Sequence, residues 1–130
     1  MNQKEIVAYW RVEADEALKV AYHLFEKRDY SYALFFGHLA VEKILKALFV
    51  KNVGLNVPRT HNLLRLAKAA RIPVNEEKEY ELVRITAFNL EARYPDYKRA
   101  FRKKCTAEFS TKEINTIQEV FSWLKSMLES

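Results

Sequence analysis

From about Ile6 to Lys27, apolar residues recur at Trp10, Ala14, Ala17, Ala21 and Leu24. Steps of three and four return to the same side of a helix, so the run predicts a long first helix with one buried stripe. Arg28-Asp29-Tyr30-Ser31 breaks it, with Asp29 placed to cap the next helix. That second run extends to about Lys51 and is apolar at Ala33, Phe36, Ala40, Ile44 and Ala47. A further set, Phe35, Leu39, Val41, Leu45, Leu48 and Phe49, widens the face around most of the circumference. Such a helix must be covered on several sides, and the breadth of its apolar surface predicts a dimer.

Asn52 to Arg59, with Gly54 and Pro58, reads as a loop. Thr60 then caps a short helix carrying Leu63, Leu64, Leu66 and Ala67, which Pro73 closes. Asn75 before Glu76 and Glu77 predicts another capped start, with acids favoured by the helix dipole and a stripe at Val83, Ala87 and Leu90. Pro95 disfavours helical geometry at Tyr94, so this helix is expected to end near Arg93, and Tyr94-Pro95-Asp96-Tyr97 to turn the chain. Ser110-Thr111-Lys112-Glu113 fits a capping box for a last helix with Ile114, Ile117, Phe121, Leu124 and Leu128 on one side. The pattern predicts an all-α domain over residues 1–130, an antiparallel up-and-down bundle of four long helices plus one short helix.

Composition supports this picture, since Gly 2 and Pro 3 are few and 49% of residues are hydrophobic, enough for one real core. The single Cys105 excludes an internal disulfide, no Cys/His set has zinc spacing, and Met1 to Ala8 lacks a signal peptide's apolar core. No apolar run approaches a membrane span. These features point to the cytoplasm and to no membrane partner.

Charge changes the picture more. The net charge is +5, and Lys98, Arg99, Arg102, Lys103 and Lys104, with no acid between them, account for all of it. Clustered cations are the electrostatic half of a nucleic-acid footprint, and they equally attract an acidic protein.

Three places carry candidate chemistry. His38, Glu42 and Lys46 follow one another at i, i+4 as the one polar strip on the second helix, either solvated or lining a cleft or dimer seam where His38 titrates near neutral pH. His61 follows Thr60, where an imidazole can bond exposed amides or face a pocket. Asn89 and Arg93 project from one side of a helix that persists to Arg93, and the guanidinium offers a fork of donors for phosphate or carboxylate. Tyr94 and Tyr97 carry rings able to stack on bases or pack locally. There is no phosphate-cradling glycine loop, no His-Glu-x-x-His pair and no Ser/His/Asp or Cys/His nucleophile set, so no cofactor or metal is expected.

The segments "FFGHLAVEKILKALFV", "PRTHNLLRLA" and "NLEARYPDY", in this order, resemble the HEPN family, particularly its small prokaryotic members encoded beside a minimal nucleotidyltransferase. The matching positions are Glu42, Lys43, Lys46, His61, Asn89, Arg93, Tyr94 and Pro95. The resemblance implies a helical bundle, usually dimeric, often paired with the nucleotidyltransferase as a toxin–antitoxin system. It also implies a metal-independent ribonuclease in many members, with an active site spanning the dimer and an Arg separated from a following His or Tyr by four to six intervening residues. None of the nine arginines here has that spacing, and Arg93 reaches Tyr97 after only three residues. The expected function is therefore a nucleotide- or RNA-binding interaction module near Asn89, Arg93, Tyr94 and the basic run. The alternatives are a ribonuclease with an atypical site built on Arg93, Tyr97 or His61, and a structural bundle.

Overall fold

The second apolar run becomes the axis of the molecule. In the computed structural model, which describes residues 1–130, helix α2 (Tyr30–Asn52) buries fifteen of its 23 residues. Helix α1 (Gln3–Glu26) and helix α6 (Ala107–Leu128) make its most extensive contacts. Helices α3 (Leu63–Ala69), α4 (Glu76–Thr86) and α5 (Pro95–Lys104) cover the rest, with a 3-10 helix (Leu90–Ala92) leading into α5. The all-α bundle expected from the hydrophobic pattern is the fold that forms.

The packing follows from small residues. Ala14, Ala17 and Ala21 put a flat stripe of α1 against α2, letting the two backbones approach closely. On another side, Gly37 of α2 sits so near Ile117 of α6 that an added Cβ would lie 2.6 Å from Ile117 Cδ1. The apolar surface of α2 is thus covered within the chain, and its breadth reflects burial by neighbouring helices rather than an exposed seam.

Helix ends show where local signals held. Asn75 caps α4 as expected, accepting from the Lys78 N–H at 2.8 Å. Asp29 occupies the N-cap position of α2 but makes no side-chain capping bond. Asn62, accepting from the Arg65 N–H, caps α3 in place of Thr60, whose hydroxyl instead accepts from the Asn62 N–H. Helix α6 starts earlier than the capping box predicted, at Ala107, with Thr106 accepting from the Phe109 N–H; Ser110 and Glu113 lie buried inside it. Lys51 donates to the carbonyls of Met127, Leu128 and Ser130, tying the end of α6 to α2.

Two departures matter for function. Helix α4 ends at Thr86, and its buried side is Glu81, Leu82 and Ile85, while Val83 is 53% exposed. The stripe was displaced by one position because Val83, Ala87 and Leu90 share helical spacing only if the helix continues. Asn89 and Arg93 are consequently not neighbours on one helix. The Tyr94–Tyr97 segment starts α5 rather than forming a turn: Tyr94 is extended (φ −71, ψ 157), as a residue before proline must be. Pro95 then fits the first helical position, where its missing N–H costs nothing.

Candidate anion-binding site

The polar strip of α2 is buried, not solvated. His38 is 0% and Glu42 4% exposed, and the loop before α3 lays His61 over them. Glu42 is the hub: Oε1 lies 2.8 Å from His61 Nδ1, and Oε2 lies 3.0 Å from Lys46 Nζ. Burial disfavours the Glu42 carboxylate, but the hydrogen bonds from His61 and Lys46 outweigh it and leave the pKa below the usual carboxylate value. An ionised carboxylate only accepts, so His61 donates through Nδ1–H and presents Nε2 outward on a side chain 64% exposed. Lys46 in turn lies over the Trp10 ring of α1 at 4.9 Å.

His38 points the other way along the strip. Its Nε2 is 3.2 Å from the His61 carbonyl, which can only accept, so Nε2 carries the hydrogen and the buried Nδ1 has no partner. Burial holds the His38 pKa below its ordinary value, and the nearby His61 and Arg93 charges push in the same direction against the pull of Glu42. The neutral imidazole is therefore favoured at pH 7, and burial displaces the titration expected near neutrality to lower pH.

Arg93 reaches this cluster from the segment between the 3-10 helix and α5. Its guanidinium lies 4.9 Å over the Tyr97 ring, which stacks in turn on Phe101 at 6.2 Å, and Phe101 meets Phe88 at 5.5 Å. The Tyr97 hydroxyl donates to the Ala87 carbonyl at 3.1 Å, so the ring is fixed at both ends. The buried Nε of Arg93 has no hydrogen-bond partner. A guanidinium held by stacking, with donors uncommitted, is prepared for an oxyanion.

Of the residues singled out in the sequence, the fold brings together His38, Glu42, Lys46, His61, Arg93 and Tyr97. Asn89 is 5% exposed at the start of the 3-10 helix, whereas Tyr94 is 86% exposed and projects to solvent. Lys98, Arg99, Arg102 and Lys103 share one side of α5, an arc of roughly 140° at about 100° per residue. Lys104 lies apart, over the Phe109 ring. Sequence reading missed Trp10 beneath Lys46 and the Arg84–Glu113 ion pair joining α4 to α6. Both join positions distant in the chain, for which no short spacing gives a signal. No group of three or more His, Cys, Asp or Glu side chains is placed to hold a metal ion.

The family model for the HEPN domain matches residues 7–127. No curated protein matches the sequence. Among solved structures, the crystal structure of TT1696 from Thermus thermophilus is similar, with a TM-score of 0.76 at 21% identity, covering 97% of this chain and 98% of that one. At that identity the likeness shows a shared fold.

Proposed function

The chain belongs to the HEPN family, and from that premise we propose that it is an RNA- or nucleotide-binding interaction module, working as a homodimer with a minimal nucleotidyltransferase in a toxin–antitoxin-like pair. One observation carries the binding: of the five cations of α5, none enters an ion pair with an acid, although four lysines and arginines elsewhere in the molecule do. Four of the five are exposed and Lys98 is half-buried. Unpaired cations on one helix side, with a stacked guanidinium just before that helix, suit a run of phosphates. Anisotropy of a labelled single-stranded RNA tests this. Binding is expected to weaken with salt and on Arg93→Ala, and undetectable binding at low salt would refute it.

A second reading, a metal-independent ribonuclease, is favoured by the Glu42–His61 pair. A carboxylate that fixes the imidazole tautomer and leaves Nε2 facing outward is the arrangement a general base requires, with Arg93 available for phosphate charge. Arg93 and His61 both lie within electrostatic reach of His38, so the fold draws an Arg and a His toward one place without the linear spacing. RNA cleavage in the presence of a chelator, lost in His61→Ala and in Arg93→Ala, would support it; cleavage unchanged by both substitutions would rule it out.

A further inference from the structure

We infer that the groove where the start of α2 meets α5 is a binding site for a phosphate-type oxyanion. Two adjoining hollows of about 370 and 160 Å³ share Ser31, Tyr32 and Arg102 as lining. The backbone N–H groups of Tyr30, Ser31 and Tyr32 open into the first turn of α2 without carbonyl acceptors, because the first backbone bond there runs from the Ala33 N–H to Asp29. Asp29 does not cap them, and no acid lies in that first turn.

The second, independent feature is Ser31 itself. Its side chain is in a residue only 7% exposed, lines both hollows, and gives its hydroxyl no protein partner. The hydroxyl is open to the groove rather than sealed in the core, so it is free to donate to an acceptor bound there. Charge points the same way. Arg28, Lys98 and Arg102 border the groove against Asp29 and Glu91, and none of these five is in an ion pair. The positive end of a 23-residue helix adds to that excess. A tetrahedral oxyanion accepting from first-turn amides, the Ser31 hydroxyl and the Arg102 guanidinium satisfies all three donor types at once.

Ser31 lies on the same side of α2 as His38 and Glu42, seven residues and about 10 Å from His38 along the helix. The inference builds on the proposed phosphate-contacting function, and it can fail separately from it. Inorganic phosphate titrated into the full chain, followed by amide chemical shifts, provides the test. The Ser31 and Tyr32 amides are expected to shift saturably, and affinity to fall about tenfold in Arg102→Met, the loss of one charge-assisted hydrogen bond. Arg102 is exposed, so that variant folds, and Lys112→Met, an equally exposed charge on α6, is expected to leave binding intact. Ser31→Asp, which places a carboxylate among the same amides, is expected to abolish the response. An RNA trinucleotide with a 5′-phosphate that binds these amides more tightly than its 5′-hydroxyl form identifies a nucleic-acid terminus as the source; equal or weaker binding identifies free phosphate. Shifts that never saturate, or that spread evenly over α5 and disappear with modest salt, would overturn the inference. Loss of RNA binding in Arg93→Ala with intact phosphate shifts at Ser31 would separate the two sites.

Discussion

Replacing Glu42 by Gln keeps the shape of the hub and removes its charge, so it isolates what the carboxylate does. Two bonds weaken, the contact to His61 at 2.8 Å and the ion pair to Lys46 at 3.0 Å. His61 is largely exposed, which limits its bond to under about 1 kcal/mol, and the partly screened Lys46 pair is worth about 1 kcal/mol. Against that loss stands relief from holding a charge in a site only 4% exposed. The net expectation is a destabilisation of about 1 kcal/mol, which lowers Tm by roughly 3–5 °C for a domain of this size. Urea denaturation monitored through Trp10 and Trp123 fluorescence, at pH 7.5, gives the value. Glu42→Leu loses the same bonds but buries apolar surface, so its cost should be no larger. A loss above about 4 kcal/mol in Glu42→Gln would show that the carboxylate is a keystone of the core, and the positioning role argued for it would be wrong.

Further predictions concern packing, caps and pH. Gly37→Ala should destabilise by about 1–2 kcal/mol, overpacking against Ile117 outweighing the better helix propensity, and Ile117→Val should recover part of the loss because it removes the Cδ1 in the way; a stabilised Gly37→Ala would refute the close α2–α6 approach. Arg71 closes α3 in the left-handed region at φ 62, with the Ile72 N–H bonded to the Ala67 carbonyl, so Arg71→Gly should stabilise by about 0.5–1 kcal/mol in the same denaturation assay. His38 has a folded pKa below its ordinary 6.5, so below that pH the unfolded chain takes a proton that the folded chain refuses. Stability from this group is complete above about pH 6.5 and declines as pH falls, with Glu42 adding a second decline below 4.5. His38→Gln should flatten the change between pH 7.5 and 5.5; an unaltered slope would show that other groups produce it.

Much of the fold was legible because its signals are local. The α2 pattern declared a surrounded helix, Asn75 declared its cap, and the proline at position 95 fixed the extended Tyr94. What escaped was set by competition between distant parts. Helix α4 stops at Thr86, whose hydroxyl accepts from the Leu63 N–H of α3 while donating back to Leu82, a tertiary tie that no window around residue 86 contains. Helix α5 has a polar, strongly basic sequence in which only Phe101 is fully covered, so periodicity gave it almost no weight. The site was half legible. The strip His38, Glu42 and Lys46 came from spacing, but its burial and its junction with His61 depend on a loop crossing from 19 residues away. Arg93 and Tyr97 were singled out for a geometry they do not adopt: they meet by stacking at the entrance to α5.

That entrance is where fold and proposed function meet. Residues Phe88, Phe101 and Tyr97 hold Arg93 in place from beneath, and the unpaired cations of α5 extend the positive surface away from it. Solubility alone would not require that all five excess charges lie on one helix beside a stacked guanidinium. The most direct measurement is the salt dependence of single-stranded RNA affinity, by anisotropy, for the native chain and for Arg93→Ala and Lys103→Met. If Arg93 and the α5 face contact three to five phosphates, log affinity should fall against log salt with a slope of about −2 to −3.5, and each substitution should reduce it by about 0.7. A slope near zero, or one unchanged by both substitutions, would contradict the account.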